Sequence, residues 1–199
     1  MDIDPKDLVE TAQQAADRKS ARLNAVTAVS VAILATFMGI CKVKDDNIVQ
    51  AMQQAQADKL DHWAYYQARN IRQEVAESTV LQLELASLSQ TPATAPQYRS
   101  AIEKYRAIAV DQKTKKEQLA AQATQDQANY DALNFRDDQF DLSDALLAIA
   151  IALLAVTALT QLWALYAVAL VPSIFGMLMG LAGLASWKIH PAVLIGWLS

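Results

Sequence analysis

Asp58 and His62 stand four residues apart with Asp61 beside the histidine, a spacing that puts a carboxylate and an imidazole on one face of a helix. In 199 residues this is the nearest approach to a metal-binding pattern. Two ligands do not hold a metal against water, so the pair reads as a solvated helix surface. The sequence offers no Gly-rich phosphate loop, no nucleophile elbow and no Cys/His array. Its one cysteine, Cys41, has no partner for an intramolecular disulfide and reads as a small apolar packing residue. No catalytic residue, metal or cofactor is expected, and the chain reads as a non-enzyme.

The stretch around the histidine suggests recognition instead. Residues 58–74 read DKLDHWAYYQARNIRQE, and Trp63, Tyr65 and Tyr66 are three of only 14 aromatic residues (4 Trp, 6 Tyr, 4 Phe). At about 100° per residue, Leu60, Ala64, Ala68, Ile71 and Val75 share one face, with Leu83 further along, and that face is expected to pack inside a helix pair. Trp63 and Tyr66 then lie on one flank, and Tyr65, Arg69 and Arg72 on the other. Either the rings broaden the packing face, or both flanks are covered by neighbouring subunits, with Arg69 or Arg72 stacking or pairing across the contact. A ligand site is a third reading. The expected interface residues are Trp63, Tyr65, Tyr66, Gln67, Arg69 and Arg72.

The elements that must position this stretch follow from the charge pattern. No charged residue occurs in 145–187, a run of 43 positions, or in 23–41, a run of 19. About 20 apolar residues cross a bilayer core as a helix, so the runs predict two spans and one span. Residues 23–43 are read as a retained anchor rather than a cleaved leader, because a polar stretch precedes Arg18, Lys19 and Arg22 and no small-residue cleavage site follows. Residues 144–187 must turn once; Thr160-Gln161 is the most polar dipeptide, placing spans at 144–160 and 164–187. Pro172 should kink the last span, and Gly176, Gly180 and Gly183 make a smooth face, with Gly176 and Gly180 as a candidate association motif. Residues 188–199 are too short to cross and read as an interfacial tail anchored by Trp187 and Trp197. Residues 1–22 read as an amphipathic helix beginning at Pro5, with Leu8, Ala12, Ala15 and Ala16 on its weakly apolar side.

Between the first two spans, residues 44–143 have the Ala, Gln, Leu and Glu content of long helices, broken near 89–96 by SQTPATAP. Thr94 and Gln97 have the spacing of a capping box. Two helices of about 45 residues joined there predict an antiparallel, coiled-coil-like hairpin about 65 Å long. On its second helix Tyr98, Tyr105, Leu119, Leu133 and Phe140 recur at multiples of seven, with Ile102, Ala109, Ala123 and Tyr130 alongside. Gln112, Lys116, Asp126 and Asp137 fall on the same seams, which predicts polar packing. On the first helix Ile48, Met52 and Ala55 are offset from the Leu60 face, which predicts a local stutter.

The phrase Asp61-x-Trp63-x-Tyr65-Tyr66-Gln67-Ala68-Arg69-x-Ile71, shortly after one span and upstream of two close-set spans, resembles a widespread family of uncharacterised bacterial membrane proteins that is defined only as a domain of unknown function. Its members are similar to D-x-W-x-Y-[YF]-Q-A-K-x-[IL], so Arg69 stands where lysine is usual, with the charge kept. Phe140-Asp141-Leu142-x-x-Ala145 also looks like the family's lead into its C-terminal spans. The resemblance covers about residues 22–187 and implies a bacterial membrane protein of this architecture, with no activity attached.

The expectation is therefore an all-α membrane protein with three transmembrane helices and a long helical hairpin between the first and second. Its function would be that of a non-enzymatic scaffold or accessory subunit that self-associates through the hairpin; an oligomeric channel or small transport component is the alternative. Net charge is −4, with 11 Lys/Arg against 16 Asp/Glu in residues 44–144, so nucleic acid is not an expected partner. The expected partners are the lipid bilayer, further copies of the chain, and a larger membrane complex. The expected location is a bacterial inner or intracytoplasmic membrane. Asp45 and Asp46 offset the lysines after the first span while only Asp17 offsets the basic cluster before it, which favours a cytoplasmic N-terminus and a hairpin on the other side.

Overall fold

The structure, a computed structural model, describes residues 5–89 and 91–189. It is all-α: helix α1 is Pro5–Ser87, α2 is Ala95–Thr160 and α3 is Trp163–Ala185, with no strand among the described residues. α1 runs 83 residues without a break. Its composition explains this, because Pro5 sits at the first position, where no N–H partner is lost, and Gly39 is its one interior glycine. All three helices contain a stretch long and apolar enough to cross a membrane. The tail expected at 188–199 lies outside the described residues beyond Ile189, as do the side chains of Leu8, Ala12, Ala15 and Ala16.

The chain divides into two units. One combines the described residues up to Val49 with those from Leu133 onward, and the other is Gln50–Ala132.

In the first unit three helices meet around Leu34 of α1, Leu147, Ala150 and Leu154 of α2, and Ala169 of α3, with Phe37, Met38, Tyr166 and Met177 packed against them. Its outward side chains are also apolar: Val29, Ile33, Ile40, Ile149, Leu159, Val168, Val171, Ile174 and Phe175 are exposed. A surface this apolar suits hydrocarbon, where helices associate through close packing and interhelical hydrogen bonds. The chain reverses at Gln161, whose φ of 58° closes α2 with a bond from its N–H to the Thr157 carbonyl at 2.9 Å. The Gln161 side chain is clamped to α1: its amide donates to Asn24 Oδ1 at 2.7 Å and its Oε1 accepts from Ser20 Oγ at 2.7 Å. Pro172 lies inside α3 and leaves the Val168 carbonyl without its usual helical donor.

In the second unit, the buried or half-buried positions of α1 include Met52, Ala55, Lys59, His62, Tyr66, Arg69, Gln73, Ala76, Val80 and Leu83. They alternate at three and four residues without interruption, and Ile48, also buried, lies four residues before Met52. No stutter is needed. The face expected to pack is a different one: Leu60, Ile71 and Val75 are 62 %, 60 % and 59 % exposed, and Ala64 and Ala68 are exposed too. The reason is chemical. The packed face carries long polar side chains whose stems lie along the partner helix while their ends find hydrogen bonds, so hydrophobicity alone points to the wrong side. On α2 the expected positions are the buried or half-buried ones, including Tyr98, Ile102, Tyr105, Ala109, Gln112, Lys116, Leu119, Ala123, Asp126 and Tyr130. α2 starts just after Thr94, but the Thr94 hydroxyl donates to the Thr91 carbonyl at 3.0 Å instead of capping Gln97, whose N–H reaches the Thr94 carbonyl.

Candidate functional site

The aromatic phrase straddles two environments. Tyr66 turns inward: its ring meets Trp63 edge-on at 5.2 Å, and Lys116 Nζ of α2 lies 5.7 Å from its centroid. Lys116 also donates to Asn70 Oδ1 at 2.9 Å, and Arg69 donates to Gln112 Oε1 at 3.1 Å. His62 Nδ1 sits 2.6 Å from Asp126 Oδ2, and Lys59 donates to Gln127. Gln56, Lys59, Gln127 and Tyr130 line a shallow pocket of about 180 Å³. Asp58 is occupied by the Gln54 amide at 2.8 Å, so His62 and Asp58, grouped in the sequence, take separate partners.

Tyr66 and Arg69 are thus engaged within the chain, whereas Tyr65 is 63 % exposed, Trp63 is 40 % exposed, and Gln67 and Arg72 are exposed. Between these outward residues runs the face of Leu60, Ala64, Ala68, Ile71 and Val75, extended by Ala57, Ser78, Gln82 and Leu85, all exposed and none charged. The outward face of α2 is different: Arg99, Glu103, Arg106, Lys113, Glu117 and Asp131 are exposed there. α2 exposes mainly charges there, whereas α1 carries an apolar stripe between exposed charges such as Asp61, Arg72 and Glu74.

Gly176 and Gly180 do not form an open association face. A Cβ on Gly176 would lie 2.9 Å from Leu147 Cγ, one on Gly180 2.7 Å from Phe37 Cε1 and 2.8 Å from Ser143 Oγ, and one on Gly183 2.8 Å from Phe140 Cζ. The smooth face is used inside the chain, seating α3 on α1 and α2, and Ser143 Oγ donates to the Gly176 carbonyl at 2.8 Å.

A family model described as a domain of unknown function (DUF4337) matches residues 23–186. The chain belongs to that family. No curated protein and no solved structure matches it. In this DUF4337 chain the matched region contains the three apolar stretches and the paired segments of α1 and α2.

Near the ends of the apolar stretches the first unit holds a group of polar residues whose contacts with one another the sequence did not reveal. Arg136 donates to the Gly183 carbonyl through Nη2 at 3.0 Å, and the Gln139 amide donates to the carbonyls of Trp187 at 2.8 Å and Ile189 at 2.7 Å. These two side chains satisfy carbonyls at and beyond the C-terminal end of α3, with a cation at the negative end of the helix dipole. Beside them Asp45 of α1 is 4 % exposed, with Lys42 Nζ on its Oδ2 at 2.9 Å and Asp46 3.5 Å from the same ammonium. Burial, a hydrogen bond with Asp45, and the charges of Asp141, Asp45 and Asp138 push the Asp137 carboxyl up to about 7. Burial first, then the Asp45 charge, also raises Asp141, against the pull of Lys42. One signal could have found them: Asp45-Asp46 closely follows the first apolar run, and Asp137-Asp138 closely precedes the second.

Proposed function

We propose that this protein is a non-enzymatic scaffold or accessory subunit of a bacterial inner or intracytoplasmic membrane. In this reading the paired segments of α1 and α2 act as a long antiparallel, coiled-coil-like hairpin, held outside the cytoplasm, and the chain self-associates through it. The observation that carries the proposal is the uncharged, water-facing stripe of Leu60, Ile71 and Val75 on α1, flanked by Trp63 and Tyr65. Covering side chains of this size contributes about 1.5–3 kcal/mol each, and a two-fold contact counts each one twice. Anchoring in one bilayer raises the effective concentration of copies, so a modest contact suffices.

The test is the mass of the detergent-extracted complex by native mass spectrometry, for the wild type and for a Leu60→Glu/Ile71→Glu variant, with Lys113→Glu on α2 as control. The expected result is a discrete multiple of the chain that falls to the monomer in the double variant alone. A monomeric wild type, or a complex indifferent to the double variant, overturns self-association. A stoichiometric foreign chain released by the double variant would instead mark the stripe as the docking face of an accessory subunit.

A further inference from the structure

Asp45 is almost fully buried, yet its two oxygens are treated differently. Oδ2 receives Lys42, whereas Oδ1 is sealed from solvent with no N–H or hydroxyl donor on it. The group within hydrogen-bonding reach on α2 is the half-buried Asp137 carboxyl. Two ionised carboxylates placed face to face supply acceptors and no donor, and a buried acceptor without a donor is costly. One proton resolves both problems, because a carboxylic acid on Asp137 donates to Asp45 Oδ1 and removes the like-charge repulsion.

We propose that Asp45 and Asp137 share one proton, and that this proton latches α1 to α2 where the two helices leave their spanning segments.

The surroundings favour retention of the proton. From α1 the pair is faced by Asp45's own neighbours Lys42 and Asp46, of which Lys42 is already committed to both aspartates. From α2 come Asp138, Asp141 and Asp144, which add negative charge. Arg136 is engaged by the α3 carbonyl of Gly183, and Lys188, past the end of α3, is exposed. With Asp137 titrating about 7, ordinary changes in pH around neutrality set the latch. When the proton leaves, two carboxylates oppose each other across the α1/α2 contact, and the helix ends there loosen.

Infrared titration of the whole protein in lipid nanodiscs reads the proton directly, through the carbonyl stretch of a protonated carboxylic acid. The expected result is a band present at pH 6 and lost with a midpoint near pH 7 in the wild type, and absent at pH 6 in both Asp45→Asn and Asp137→Asn. Hydrogen exchange, corrected for intrinsic rates, should also speed up in residues 41–46 and 137–144 between pH 6 and pH 8 in the wild type but not in Asp137→Asn, whose amide donates permanently. No band in the wild type at pH 6, or a band that survives Asp137→Asn, overturns the shared proton. Exchange with the same pH dependence in both proteins overturns the latch. The wild-type titration needs no variant to fold, and none of these readouts depends on self-association.

Discussion

His62 Nδ1 of α1 lies 2.6 Å from Asp126 Oδ2 of α2, half-buried within a packed face that is polar from Lys59 to Arg69. In place of large apolar knobs, this stretch of the helix pair relies on partnered polar groups, each of which leaves a partner stranded when it is removed.

His62→Ala should therefore lower the stability of the helix pair by about 1–3 kcal/mol, and Asp126→Ala should do the same. The double variant should cost clearly less than the two single losses added, because the interaction is lost only once. Thermal unfolding followed by circular dichroism, in one fixed detergent, checks both the loss and the shortfall from additivity.

Gly180→Ala and Gly39→Ala make opposite predictions from the same substitution. At Gly180 the new methyl lies 2.7 Å from the Phe37 ring and 2.8 Å from Ser143 Oγ, so those side chains or α3 must give way and stability should fall by about 1–3 kcal/mol. At Gly39 nothing lies within 4 Å, and alanine should be neutral or stabilise the helix by about 0.5–1 kcal/mol. Midpoints of heat-induced loss of helicity separate the two.

The stability of the first unit should fall as pH rises from about 4 to about 7. An exposed carboxyl in the unfolded chain releases its proton near the ordinary value of 3.8, whereas Asp137 in the folded protein holds it up to about 7. Across that window the native state carries the extra proton, so raising the pH favours unfolding, and above it this contribution is gone. Asp137→Asn should flatten that part of the profile. An apparent melting temperature measured every half pH unit in a single detergent would reveal it; equal slopes for the two proteins would count against the assignment.

Trp63→Ala should weaken assembly while leaving membrane insertion intact. Trp63 is partly exposed beside the Leu60 face, and its loss removes a flank of the stripe as well as the edge-on contact with Tyr66. Cross-linking in native membranes, alongside carbonate extraction as the insertion control, checks both halves; unchanged cross-linking would defeat the idea.

Much of the architecture was legible because the bilayer imposes a coarse rule. Uncharged runs mark segments able to cross, and the break between α2 and α3 falls at Gln161, part of the most polar dipeptide in its run. The α2 register was also readable, since Tyr98, Ile102, Tyr105 and Ala109 are spaced in sequence as they are buried. The packed side of α1 was not. Leu60, Ile71 and Val75 are its obvious apolar residues and yet face water, while Lys59, His62 and Arg69 turn inward because α2 offers them Gln127, Asp126 and Gln112. That preference depends on which residues stand opposite, which one helix read alone cannot reveal. The same holds for Asp45 and Asp137, 92 positions apart in the sequence and meaningful only as neighbours.

In the proposed self-association, the contrast between the apolar stripe on α1 and the mostly charged outer side of α2 would also govern how large an assembly can grow. A chain with adhesive patches on two opposite sides polymerises without limit, adding copies until membrane or material runs out. With the proposed contact on one helix, two copies meeting stripe to stripe would consume each other's capacity to recruit a third. In that reading, termination would follow from where Leu60, Ile71 and Val75 sit, and the Lys, Arg, Asp and Glu residues of α2 would act as the stop signal that keeps the array finite.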